Sequence, residues 1–393
     1  MRTYPLEGVR VLDLGRIQAA PYCAQILGDL GADVIKIEVP GTGDDARDYL
    51  PKKTYFAQFN RNKRAITLNL KTGRDVFLRL VKTADIVVEN YRPGVMKKLG
   101  LDYYDVLSKI NPGLIYCAVS SFGQEGPYSH KAGFDPLLQA MTGIMSVTGF
   151  PDGEPVRSGI AVSDILGGLN AAIGILAALR YRENTGKGQF VDISLADSDI
   201  SAMSSINASY LDDRSVRGRM GNSYGTGAPG GKFDASDGAF MYAGANNTAW
   251  KRVCEEMGHP EYIDDPRFDT REKRAENREQ VDRIMNDWCR TRTVKENVEL
   301  FDRLKLSAGP IMDVAQVYDD PQFGKNGARP MFFDMEQPGS GTVEYTGSPI
   351  RLSETPVQLF RPSPELGQDN ESILQELGYS SEEIEKFQES GVI

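Results

Sequence analysis

Apolar residues fall into two rhythms along the first third of the chain. Residues 8–14 (GVRVLDL) form a short apolar run suited to a buried strand. Residues 20–30 carry apolar positions at helical spacing, and Gly31 stops the run. Residues 33–38 (DVIKIE) read as a second strand. Strand, helix and strand in close succession make a βαβ unit, which calls for parallel strands. The alternation continues with strands at 64–70, 85–90 (DIVVEN) and 114–120 (LIYCAVS). A helix follows Gly73 and a short one follows Pro93. This pattern predicts a doubly wound, Rossmann-like α/β domain.

Helices are expected at about 135–148 and 164–183, a strand at 189–195 (QFVDISL), and a further helix from about Ala196. The 164–183 segment is apolar on most of its faces, so it should be buried. Residues 215–238 are rich in glycine and weakly apolar, which predicts a loop and a domain boundary. From there to about residue 330 the pattern suits a smaller α+β domain, and an acidic amphipathic helix closes the chain near 380–389. The expected division is a large domain at 1–224, a small one at 225–330, and a return to the large domain over 331–393.

The chain has 393 residues, 40% of them hydrophobic, enough for two cores. Its net charge of −10 argues against nucleic acid as a partner. Residues 51–100 run against that balance, with twelve Lys or Arg and three acids. Such a window suits either a small phosphorylated ligand or a solvated basic surface. Cys23, Cys117, Cys254 and Cys289 have neither metal nor disulfide spacing. No signal-peptide pattern opens the chain, and no run approaches the roughly 18 uninterrupted apolar residues of a membrane span. A cytoplasmic protein without a membrane partner is the expectation.

Much familiar chemistry is absent. The two histidines, His130 and His259, leave little for zinc or a histidine-based triad. There is no G-x-S-x-G elbow and no Walker A motif. The first βα turn, Leu14-Gly15-Arg16-Ile17-Gln18, lacks the G-x-G-x-x-G fingerprint, which argues against a nicotinamide dinucleotide. Carboxylates, amides and tyrosines remain. An ionised aspartate can itself attack an activated acyl group such as a thioester, with no base required. Ser163-Asp164 precedes an apolar helical run, where an N-cap and a nucleophile are both open readings.

Five ordered segments carry a resemblance: VRVLDLGRIQAAPYCAQILGDLGADVIKIE, NRNKRAITLNLKT, DIVVENYRPGVMKKLGL, SGIAVSDILGGLNAAIGILAALRYRENTGKGQFVDISL and LGQDNESILQELGYSSEEIEKFQESGVI. Together they resemble the class III CoA-transferases, a group that includes formyl-CoA transferase, carnitine CoA-transferase and α-methylacyl-CoA racemase. The resemblance implies an acyl-CoA and a carboxylic acid as substrates, coenzyme A as the group moved, no permanently bound cofactor, and an interlocked homodimer. It implies that Asp164 is the nucleophile, forming first a mixed anhydride and then an aspartyl-CoA thioester. Backbone donors for the oxyanions would come from the glycine-rich stretch, with Gly225, Gly227, Gly230 and Gly231 as candidates. Gln18 and Ala19 match residues near the CoA. Leu68 and Lys71, and then Asn90, Tyr91, Arg92 and Lys98, match stretches at its nucleotide end. Tyr49 matches an aromatic position near the acyl pocket.

The racemase of this family needs a histidine in the segment matching AGFDPLLQAMTG. This chain has Phe134 there, followed by Asp135, which matches an acidic position beside the nucleophile of some transferases. A side chain of carbon and hydrogen cannot carry a proton, so transfer is favoured over racemisation. A non-catalytic CoA-binding protein is the third reading. Val39 stands where the family often has Arg, which removes one expected phosphate contact. Gly367-Gln368-Asp369-Asn370 departs from the usual G-E-H-T.

Overall fold

In a computed structural model, which describes residues 4–393 except 224–226, 338 and 358, the chain forms two compact units. The first comprises Met1–Met145, Arg157–Val216 and Asp320–Ile393. Its centre is a six-stranded sheet of β1 (Arg10–Asp13), β2 (Asp33–Glu38), β3 (Lys63–Thr67), β4 (Ile86–Glu89), β5 (Ile115–Ser120) and β6 (Phe190–Ser194). The order is β3-β2-β1-β4-β5-β6, and every neighbouring pair is parallel. The expected doubly wound α/β sheet is therefore present.

Alternation along each strand supplies both faces. Val11, Val34, Val88 and Cys117 pack to one side, against α1 (Ala19–Asp29) and the long apolar helix Val162–Thr185. Leu12, Ile35, Val87 and Tyr116 pack to the other, against helix Arg74–Thr83 and the C-terminal helices Asn370–Glu376 and Ser381–Glu389. Side chains on successive strand residues point to opposite faces, so a sheet covered on both sides needs apolar residues at nearly every position.

Between β5 and the long helix lies α2 (Asp135–Met141). The single helix expected over 135–148 is two, because Gly143 adopts a left-handed φ of 98° ahead of Ile144–Val147. The long helix, α3 (Val162–Thr185), starts two residues before Asp164. Its N-cap position is Ala161, which makes no side-chain cap bond. The capping reading of Ser163-Asp164 thus fails: both residues lie inside the first turn. Helix α3 is long and apolar enough to cross a membrane by length and composition; in this fold it packs on α1, β5 and β6. After β6 comes α4 (Leu195–Ala202).

The second unit comprises Ser146–Val156 and Arg217–Asp319. It holds the antiparallel strands β7 (Gly230–Asp234), β8 (Ala239–Ala243) and β9 (Ser307–Pro310), with helices Asn247–Met257, Arg278–Cys289 and Val294–Arg303 around a core of Phe233, Tyr242, Trp250 and Phe301. The stretch expected to be a loop, 215–238, therefore contains a strand, β7.

Candidate active site

Strand order fixes where a crevice opens. From β1 the chain winds toward β2 and β3, and from β4 toward β5 and β6. The loops leaving the C-terminal ends of β1 and β4 consequently part in opposite directions, and an open α/β sheet binds its ligands at such a point. Asn90, just beyond β4, spans the two loops. Its Oδ1 accepts the Arg16 N–H at 2.8 Å and its Nδ2 donates to the Arg16 carbonyl at 2.9 Å.

The turn after β1 is held from below. Gly15 donates its N–H to Asp13 Oδ1 at 2.8 Å, and Lys36 Nζ donates to the Gly15 carbonyl at 2.8 Å. Only glycine fits at position 15: a Cβ there would stand 2.6 Å from Pro21 Cδ and 2.7 Å from Ala20 Cβ. Two buried lysines support this floor. Lys63 Nζ donates to Asp13 Oδ2 (2.8 Å), the Pro21 carbonyl (2.9 Å) and Asn60 Oδ1 (2.8 Å). Lys36 Nζ lies 2.9 Å from Asp44 Oδ2. Burial pushes the Lys63 ammonium down to about 8, against the pull of Asp13.

Above the turn lies a cleft of about 310 Å³. Its walls are residues 16–19 after β1, 90–93 after β4, 119–121 at the end of β5, 131–134 before α2, Leu195 of α4, and Asp164.

Asp164 sits partly exposed on the first turn of α3. Among the described residues no side chain or backbone N–H reaches its carboxylate within hydrogen-bonding distance, and no cation pairs with it. Its neighbour Ser163 is fully buried. The Ser163 N–H donates to Asp135 Oδ1 at 2.8 Å, and the Ser163 hydroxyl to Asp199 Oδ2 at 2.8 Å. Asp135 also accepts from Gln139 Nε2 at 2.6 Å, and Asp199 from the Thr142 hydroxyl at 3.2 Å. Two carboxylates thus accept from Ser163, and a third, Asp164, follows it in the helix. Burial first, then the charges of Asp135 and Asp199, raise the Asp164 carboxyl to about 7. Such a group is near half ionisation at neutral pH and has no counter-ion among the described residues, which leaves its oxygens open to a carbonyl.

On the cleft's β1 side, the Tyr55 hydroxyl donates to Gln18 Oε1 at 2.9 Å. Burial and the Asp164 charge push the Tyr55 phenol up to about 12, so it stays a donor. With Oε1 occupied, the Gln18 amide nitrogen is the end left for a ligand.

Gln18, Ala19, Asn90, Tyr91, Arg92, Phe134 and Asp164, all singled out in the sequence, line this one cleft. Asp135 stands behind it and reaches it through Ser163. Tyr49 is exposed and touches Tyr55, ring centres 5.2 Å apart. Lys71 and Lys98 are exposed and outside the cleft lining. Leu68 needs correction: its side chain is buried in the core with Ile37, Val76 and Leu80, so it offers no surface to a nucleotide. Gly230 and Gly231 also differ from expectation. They are buried in β7, opposite Ala243 and Tyr242, instead of forming a loop. The Gly227 carbonyl accepts from the Arg278 guanidinium. Gly225 lies outside the described residues.

The basic window is partly consumed inside the fold. Arg61 pairs with Asp29 through two nitrogens, Lys63 with Asp13, and Arg64 with Asp33 and Glu376. Sequence reasoning missed Arg16, Lys131, Tyr55 and Asp199. Arg16 lies inside the first quoted segment and Lys131 just before AGFDPLLQAMTG; Asp199, within a helical stretch of mixed character, carries no local signal.

The sequence matches CoA-transferase family III over residues 6–370. It is 38% identical to the succinyl-CoA:glutarate CoA-transferase of Mus musculus, covering 99% of this chain and 90% of that one. It is 37% identical to the succinyl-CoA–D-citramalate CoA-transferase of Chloroflexus aurantiacus, covering 99% and 98%. The fold matches the crystal structure of a CAIB/BAIF family protein from Brucella suis with a TM-score of 0.84 at 37% identity, over 96% of this chain and 100% of that one. With a cleft at the switch point and a family match over residues 6–370, the chain belongs to CoA-transferase family III.

Proposed function

We propose that the protein transfers CoA from an acyl-CoA thioester to an acceptor carboxylate through covalent intermediates on Asp164. The observation that carries this reading is a partly exposed carboxylate in the cleft wall, with neither cation nor donor bound to it among the described residues. The Asp164 oxygen attacks the thioester carbon; the C–S bond breaks, and CoA departs as the thiolate. The thiolate attacks the Asp164 acyl carbon of the resulting anhydride, expelling the donor acid and leaving an aspartyl-CoA thioester. The acceptor carboxylate then attacks that thioester, and a second thiolate attack releases the new acyl-CoA and restores Asp164. No proton is gained or lost over the cycle, which agrees with a site that has no histidine.

We read the Gln18 amide nitrogen as the donor to the thioester oxygen, a role supported by Tyr55 holding its other end. Arg16, Arg92 and Lys131 suit anionic substrate groups, and the exposed Lys71 and Lys98 suit the phosphates of CoA. Relatives that use succinyl-CoA make it the first donor to test, with small dicarboxylates as acceptors. Phe134 supports transfer over isomerisation, because it offers no proton at the position where the isomerase needs one. We also read a homodimer, supported by the exposed apolar row Leu169, Ile173 and Leu176 along α3; sedimentation measures its mass.

The test is chemical trapping. The protein is mixed with succinyl-CoA, quenched with hydroxylamine, digested and weighed. A hydroxamate on Asp164 is the expected product. No adduct, together with wash-in of deuterium at the α-carbon of a 2-methylacyl-CoA, gives the isomerase reading instead.

A further inference from the structure

Five non-glycine residues among those described adopt a positive φ, and Ile17 is the only β-branched one. Its φ is 66°, a conformation that brings a branched Cβ against its own carbonyl. Strain of this kind persists only where surrounding groups impose it, and it gathers at functional sites. Ile17 lies in the cleft wall between Arg16 and Gln18.

Asn90 holds the Arg16 carbonyl of the Arg16–Ile17 peptide, and Asp44 holds its N–H. Asp44 Oδ1 accepts the Ile17 N–H at 3.0 Å and the Ala46 N–H at 3.0 Å. Its own N–H donates to Glu38 Oε2 at 3.0 Å, and its Oδ2 faces Lys36 Nζ. The segment that carries it is anchored independently: Arg47 pairs with Glu38 through two nitrogens and lies 3.8 Å above the Phe56 ring. Asp45 pairs with Arg16 at 2.7 Å. Asp44 is buried and outside the cleft, so it meets no substrate.

We propose that Asp44 is a positioning residue for CoA transfer: it clamps Ile17 in the left-handed conformation, and that conformation sets the Arg16–Gln18 wall of the cleft. Without the clamp Ile17 relaxes to negative φ, the peptide planes on either side rotate, and the Gln18 side chain leaves its place against Tyr55. This rests on the reading that the cleft holds the thioester.

A double-mutant cycle tests it. Glycine adopts positive φ without strain, so a chain with Ile17→Gly has no need of a clamp. In the Ile17 background, Asp44→Ala should lower kcat/KM for succinyl-CoA at least 30-fold and weaken acyl-CoA binding by calorimetry. In the I17G background the same D44A change should cost less than 3-fold. A residue that merely supports the fold gives the same loss in both backgrounds, and that result overturns the proposal, as does a folded D44A protein with wild-type kcat/KM. If D44A does not fold by circular dichroism, D44N replaces it in the same cycle, with at least 5-fold and less than 2-fold as the two thresholds. Calorimetry on D164A carrying each pair separates this claim from the covalent mechanism. Coupling there with no Asp164 hydroxamate in the parent keeps the clamp and rejects the aspartyl intermediate.

Discussion

The Ser163 N–H and the Asp135 carboxylate meet at 2.8 Å, one residue before Asp164. Helix α3 has no side-chain cap of its own, so a carboxylate from α2 accepts one of its unpaired N-terminal donors. Asp135→Ala strips that acceptor from a buried N–H and should cost about 1–3 kcal/mol in urea denaturation. Asp135→Asn keeps an oxygen in place and should lose less. Because the Asp135 charge helps raise Asp164, the asparagine variant should also move the acid limb of kcat/KM to lower pH.

Burial and the charges of Asp135 and Asp199 raise the Asp164 carboxyl to about 7, and in the proposed cycle only its ionised form attacks. Activity at low substrate should therefore climb as pH rises through about 7 and level off above it. The stability effect has the opposite direction. A carboxyl raised above its unfolded value of about 3.9 favours folding below that pH, and this contribution is lost as pH rises through 7. The melting temperature of D164N relative to the parent should thus increase between pH 4 and pH 8, measured by calorimetric scans.

Removing the nucleophile is the sharper test of chemistry. Asp164→Ala should lower kcat by about 10³-fold or more while leaving acyl-CoA affinity near the parent value. A loss confined to affinity would contradict the covalent role.

Two lysines eight residues apart should behave as opposites. Lys63 is buried with Asp13, and Lys63→Ala strands that carboxylate, at a cost of about 3–5 kcal/mol. Lys71 is exposed, so Lys71→Ala should change stability by about 0.5 kcal/mol or less. Its effect should instead be weaker CoA binding and a shallower dependence of affinity on salt.

Gly15→Ala should destabilise the protein by about 1–3 kcal/mol, since its Cβ would overlap the start of α1. Denaturant midpoints at constant slope measure this.

The sheet was legible because each strand is short, apolar and bounded by turn residues, as in DVIKIE and LIYCAVS. The cleft's two rims, at Gln18 and at residues 90–92, came from the family resemblance, in segments that follow such strands. What escaped depends on partners distant in sequence. Leu68 belongs to a segment matching a ligand contact, yet its side chain completes the core beneath. Gly230 and Gly231 look like loop residues until strand β8 supplies their pairing. Asp369 and Asn370, whose departure from the family motif had no visible meaning, accept the Ala65 and Thr67 N–H groups along the edge of β3. Asp199 joins the site through the Ser163 hydroxyl, a contact made across 36 positions of sequence.

The carboxylates of Asp135, Asp164 and Asp199 give the proposed cycle an electrostatic rhythm. Acylation turns Asp164 from an anion into a neutral group, and its repulsion with Asp135 and Asp199 then vanishes. In that proposed cycle the loaded enzyme is the relaxed one, and the empty enzyme carries the repulsion. The first half of each turnover discharges this repulsion, and the second half restores it when the acceptor leaves with CoA.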